Sequence, residues 1–184
     1  MNINSIASAA AIAAMLAAAP AQAALSPGAT APDFTTRATL AGKEFDFHLA
    51  DALKHGPVVL YFYPAAFTTG CTIEAHDFAE ATASFAAQHA TVIGVSMDKI
   101  TTLDTFSVTD CRSKFPVASD RSGAISKSYD AVLIGMLGYA SSTSYVIAPS
   151  GKIIYAYNAM NPSAHVANTM NAVKTWNAAQ SPAR

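Results

Sequence analysis

Val58-Val59-Leu60-Tyr61-Phe62-Tyr63 is an unbroken run of β-branched, aliphatic and aromatic residues between Pro57 and Pro64. A strand covered on both faces reads this way, because the alternation of polar and apolar positions disappears when neither face meets water. Pro64 has no N–H to offer a ladder, so the strand stops there. From Thr68 the period changes to a helical one: Phe78 and Phe85 lie seven apart, with Ala75, Ala79, Ala81 and Ala86 on the same broad face, and Thr68 or Thr69 can cap the start. Thr91-Val92-Ile93-Gly94-Val95-Ser96 is a second buried strand. Strand, helix, strand in that order predicts a crossover joining parallel strands.

Upstream, Leu25 to Pro32 reads as an extended entry segment, and Phe45, Phe47 and Leu49 alternate with polar residues as a short strand should. Downstream, a helical segment from Thr101 or Thr102 runs towards Cys111. It is followed by a short strand, Phe115 to Ala118, and a brief helix, Ala124 to Tyr129. Ser144 to Ala148 and Lys152 to Tyr157 flank Pro149-Ser150-Gly151, which predicts a hairpin. Asn161 and Pro162 have the chemistry of a cap and first helical residue, and Val166, Met170, Val173 and Trp176 then fall on one face of a last helix. A βαβ half, a helical insertion and a ββα half make an α/β chain with a thioredoxin-like fold: a central mixed sheet flanked by helices. That scaffold alone does not name a function.

The chain has 184 residues, a net charge of −1, 12% charged and 52% hydrophobic residues, which suits a compact globular domain. Charges of both signs are scattered without a basic run, so neither nucleic acid nor an anionic membrane surface is an expected partner. Ile6 to Ala24 differs, being uncharged and rich in Ala, and Ala21-Gln22-Ala23 has the small residues of a signal-peptidase site. The reading is a signal peptide at 1–23 and one domain at 24–184, exported to the periplasm or secreted, without stable membrane association after cleavage. Export would let a disulfide persist, and the two cysteines, Cys71 and Cys111, permit one bridge; the count favours neither a structural staple nor a redox pair. The five histidines lack metal-ligand spacing and read as surface or packing residues. With no phosphate loop, paired-cysteine motif or dinucleotide fingerprint, no metal or cofactor is expected.

Cys71 stands where the buried strand hands over to the helix. A thiol in a first helical turn meets exposed N–H groups and the positive end of the macrodipole, which predicts a lowered pKa and a stronger nucleophile. Thr68 can supply a hydroxyl that donates and accepts, Gly70 and Cys71 can supply backbone N–H groups, Pro64 can shield the sulfur, and Glu74 can hold a neighbouring polar group.

Pro64, Thr68 and Cys71 reproduce the pattern Pro-x-x-x-Thr-x-x-Cys, and with Thr72-Ile73-Glu74 the chain resembles the peroxiredoxins, most closely the bacterioferritin-comigratory or Q-type subgroup. The likeness runs from Gly28-Ala29-Thr30-Ala31-Pro32-Asp33-Phe34 through Phe115 to Asp120 and on to Tyr145 to Ile153. It implies a peroxide substrate, Cys71 as the attacking thiol with Pro64, Thr68 and Glu74 around it, and Cys111 as the thiol that resolves the sulfenic acid. It also implies a thioredoxin-like or other thiol reductant and a monomer or weak homodimer. In one place the chain departs from the family: an arginine is expected shortly before the strand at Ser144, and Ser142 stands there, leaving Arg112 or Arg121 to reach the site from elsewhere. That departure keeps open a degenerate or redox-sensing member. A thioredoxin-like disulfide reductase is disfavoured, because Glu74 occupies the place of its second cysteine.

Overall fold

The computed structural model of the protein describes residues 24–133 and 138–180. Seven strands and five helices follow in the order β1 (Thr35–Leu40), β2 (Lys43–His48), α1 (Leu49–Leu53), β3 (Val58–Phe62), α2 (Thr69–Ala87), β4 (Thr91–Ser96), α3 (Ile100–Thr109), β5 (Val117–Ser119), α4 (Ala124–Ser128), β6 (Thr143–Ile147), β7 (Ile153–Asn158) and α5 (Ser163–Gln180). The sheet runs β2-β1-β5-β4-β3-β6-β7. β3, β4 and β5 are parallel neighbours, while β1–β2, β1–β5, β3–β6 and β6–β7 are antiparallel. This is the mixed, helix-flanked sheet expected.

The Val58–Tyr63 run sits in the middle of the sheet, buried throughout. Its alternate residues divide between two cores. Val59, Tyr61 and Tyr63 meet Phe78 and Phe85 of α2, Phe106 of α3 and Val173 of α5. Val58, Leu60 and Phe62 meet Leu49 and Leu53 of α1, Tyr129 and Tyr145 on the other face. Gly94 makes room for this packing: a Cβ there would lie 2.7–2.9 Å from ring and hydroxyl atoms of Tyr61, and that ring is stacked 4.4 Å from Phe78.

Some local expectations change. β2 stops at His48, and Leu49 begins α1 instead of continuing the strand. β1 was not foreseen; it pairs with β2 across Ala41 and Gly42, both at positive φ (54° and 72°), a hairpin turn without the usual Asn or Asp. α3 begins one residue before Thr101 and ends at Thr109, so Cys111 lies just past its C-cap, Asp110. At α5 the Asn161 side chain accepts the Ser163 N–H (3.3 Å), as a cap should. The proposed leader, 1–23, lies outside the described residues. Among those described, no helix is long and apolar enough to cross a membrane.

Candidate active site

The segment between β3 and α2 is held from below. The Ala66 N–H donates to Oδ2 of Asp98, just past the end of β4, and the Ser96 hydroxyl donates to the same oxygen, both at 2.8 Å. Phe67 takes a left-handed backbone conformation (φ 65°), a strained one for a side chain of its size. Its ring packs edge-on against Phe106 of α3 at 5.2 Å. Thr68 is the N-cap by position, yet its hydroxyl makes no capping bond; it donates to the Ala65 carbonyl (3.1 Å) instead. Thr68 thus takes the cap position expected of Thr68 or Thr69 but accepts no backbone N–H through its side chain.

Cys71 is the third helical residue and only 6% exposed. The first intrahelical bond runs from the Thr72 N–H to the Thr68 carbonyl, so the N–H groups of Gly70 and Cys71 lie outside the helical ladder, as at any helix start. A cavity of about 230 Å³ opens here. Pro64, Thr68, Gly70, Cys71 and Glu74 form one wall; Leu133, Ser142, Met160 and Pro162 form the other. A wider groove of about 520 Å³ along α5 and β7 contains no thiol, carboxylate or imidazole.

The electrostatics differ from the expectation at the central residue. Burial pushes the Cys71 thiol above its ordinary range; the Thr68 hydroxyl and the Ala65 N–H pull it down, and the Glu74 and Asp98 carboxylates push it up again. Loss of hydration outweighs these hydrogen bonds, so the thiol lies above its ordinary range and not below it as predicted. The Thr68 hydroxyl has a single proton: it can go to Ala65 while the thiol is protonated and to the sulfur once the thiolate forms.

No cation lines the cavity among the described residues. Arg112 is paired with Glu80 (3.0 Å), and Arg121 donates to the Met97 carbonyl (2.7 Å) beside a different groove. Ser142 does line it. Glu74, expected on a helix surface or holding a polar neighbour, is 1% exposed, and burial followed by the nearby Asp77 raises its pKa to about 8. Its Oε1 lies 3.5 Å from Nδ1 of His165. His165 is itself fully buried, bonded to Ser144 (2.7 Å) and the Ala159 carbonyl (2.8 Å). Asp98 and His165 are the neighbours that sequence reasoning missed; the one available signal was that Asp98 closes a buried parallel strand on the same sheet end as Cys71. No cluster of three or more His, Cys, Asp or Glu side chains suited to a metal occurs among the described residues.

Cys111 lies on the same side of the sheet as Cys71, fully buried, and both are free thiols. Burial, then Asp110, drives its pKa far up. Cys111 is not among the residues lining the Cys71 cavity. The two residues after it, Arg112 and Ser113, are both left-handed (φ 51° and 57°), so the turn carrying Cys111 is strained.

The AhpC/TSA family model matches residues 27–156, which include every residue of the β3–α2 junction. The chain is a peroxiredoxin of the AhpC/TSA family. Peroxiredoxin Q of rice chloroplasts (Oryza sativa subsp. japonica) is 31% identical over 154 residues, covering 82% of this chain and 68% of its own. Peroxiredoxin Bcp of Xanthomonas campestris pv. campestris is 30% identical over 126 residues, 64% of this chain and 76% of its own. The crystal structure of peroxidoxin BcpB from Mycobacterium tuberculosis superposes with a TM-score of 0.73 at 29% identity, over 81% of this chain and 96% of that one. These similarities bear out the Q-type resemblance and make this peroxiredoxin a thiol peroxidase by family.

Ser142 in this peroxiredoxin lines the cavity at the place assigned to the family's arginine, and a hydroxyl cannot replace a fixed charge with a fork of donors. A charge-assisted hydrogen bond contributes on the order of 1.5–3 kcal/mol. Ser142→Arg is therefore expected to speed oxidation of Cys71 by hydrogen peroxide about ten- to a hundredfold and to lower the pH at which its thiolate forms. Stopped-flow oxidation rates check this. A folded Ser142→Arg that is no faster, with Arg112→Ala or Arg121→Ala much slower, would show that one of those arginines serves the site.

Proposed function

We propose that Cys71 reduces hydrogen peroxide or an organic hydroperoxide, that Cys111 resolves the resulting sulfenic acid as an intramolecular disulfide, and that a thioredoxin-like or other thiol reduces that disulfide. The observation that carries the reading is the placement of Cys71: a first-turn thiol in a small cavity with Pro64, Thr68 and Glu74. The sulfur attacks one peroxide oxygen, the Thr68 hydroxyl orients it, and the N–H groups of Gly70 and Cys71 meet the charge developing on the departing one.

Joining Cys71 to Cys111 requires local unwinding of α2, of the end of α3, or of both if the thiols start too far apart to bridge. Phe67 and the Arg112–Ser113 turn hold the strain that such an opening would release. After one equivalent of hydrogen peroxide, intact-mass analysis should find a loss of two hydrogens, and peptide mapping should link Cys71 with Cys111. A sulfinic acid on Cys71 with Cys111 still free would contradict the resolving role. The empty place of the arginine favours a second reading, a redox-sensing member with little turnover; it predicts one slow oxidation of Cys71 and no sustained peroxide consumption.

We place this chemistry in the periplasm or outside the cell, after loss of residues 1–23. N-terminal sequencing of mature protein should begin at Ala24, and recovery of the full-length chain from a membrane fraction would reject export with cleavage.

A further inference from the structure

Glu74 and Cys71 lie three residues apart on α2, a spacing that puts two side chains on one helix face, and both line the same cavity. Glu74 is 1% exposed, and its Oε1 accepts no hydrogen bond among the described residues. A buried carboxylate oxygen left bare is costly, whereas a carboxylic acid beside a small cavity has a proton to give. We infer that Glu74 is a catalytic acid: it donates the proton that the departing peroxide oxygen takes as Cys71 attacks. The inference rests on Cys71 being the attacking thiol.

The groups facing Glu74 favour the protonated form. On its own helix they are Cys71 and the carboxylate of Asp77; from β3 comes the neutral phenol of Tyr61; from α5 comes His165. Burial lowers the His165 pKa, which favours the neutral ring; in that form Nε2–H donates to the Ala159 carbonyl and Nδ1 accepts the Ser144 hydroxyl. With Ser142 across the cavity, no Lys or Arg among the described residues lines it to draw the proton off Glu74.

In the reaction the Cys71 thiolate uses a sulfur lone pair to form an S–O bond, the O–O bond breaks, and the departing oxygen takes the Glu74 proton. The products are a sulfenic acid on Cys71, water and the Glu74 carboxylate. Sulfur loses two electrons, the peroxide gains them, and solvent returns the proton to Glu74. The reactive form has one proton between the two side chains, on Glu74. A second proton blocks attack, and its complete loss removes the acid, so the rate should rise and then fall with pH.

The test is the pH dependence of Cys71 oxidation by hydrogen peroxide, followed by stopped flow, beside alkylation by iodoacetamide, which needs the thiolate and no acid. In the wild type the oxidation profile should be bell-shaped while alkylation climbs to a plateau. Glu74→Gln should lower the maximal oxidation rate on the order of a hundredfold and turn the bell into a single rise. Its alkylation should be no slower, since a carboxylate that disfavours the thiolate is gone. A Gln variant with wild-type oxidation rate and profile would overturn the inference and leave Cys71 as nucleophile intact. Should the variant misfold, the wild-type curve decides alone: a bell supports the acid, and a plateau parallel to alkylation overturns it. A wild type that alkylates readily yet is inert to peroxide would overturn the acid and the peroxidase reading together.

Discussion

Cys71→Ser is expected to lower peroxide consumption to the uncatalysed background, with hydrogen peroxide and with an organic hydroperoxide alike. Serine keeps the shape of the buried site, so the cavity between Pro64, Ser142 and Pro162 should survive the change. Its hydroxyl, however, supplies no nucleophilic anion near neutral pH. Cys111 cannot take over: it is fully buried outside the cavity, and burial pushes its thiol further from ionising than that of Cys71. Peroxide loss in the presence of a thiol reductant measures the effect, and a variant retaining wild-type rates would show that the chemistry lies elsewhere.

Glu74→Gln should make the protein more stable in alkaline solution and flatten its stability against pH. In the folded chain the Glu74 pKa rises from an ordinary 4.5 to about 8. Below about pH 4.5 both folded and unfolded states hold the proton, and burial of the neutral acid carries no ionisation penalty. Between the two values the unfolded chain has released its proton and the folded one has not, so folding takes up a proton and stability falls as pH rises. Above about 8 the folded state must bury the charge, and the whole penalty is present. At about 1.4 kcal/mol per pH unit, that gap amounts to a few kcal/mol. Urea unfolding at pH 5 and pH 9 should show the wild type losing stability by that order and the Gln variant losing much less. Equal slopes for both proteins would mean that Glu74 ionises as freely folded as unfolded.

The elements that could be read from the sequence are those whose chemistry is local. Val58–Tyr63 between two prolines gave β3, a seven-residue Phe spacing gave α2, and Pro149-Ser150-Gly151 gave the β6–β7 turn, because each signal lies within one element. β1 escaped: Thr35–Leu40 is mostly small and polar, and it becomes a strand through pairing with β2 and β5. Pro64, Thr68, Cys71 and Glu74 are close in sequence, so their gathering at one cavity was legible. What their pKa values would do was not. A helix start acts within one turn and argues for a lowered Cys71, whereas desolvation depends on distant residues such as Ser142, Met160 and Pro162 that the fold brings to its cavity. Asp98 and His165 were invisible for the same reason, since each reaches the site across the fold.

The central claim is that peroxide oxygen is delivered to Cys71, and the most direct measurement is to catch it there. Cys111→Ser, which cannot resolve the product, would be treated with one equivalent of hydrogen peroxide, quenched at short times with a sulfenic-acid-specific trap, and mapped by peptide mass. The account predicts one trapped oxygen atom per chain, located on Cys71, appearing at the rate of peroxide loss. Peroxide consumed with Cys71 still a free thiol, or oxygen found only on methionines, would contradict it.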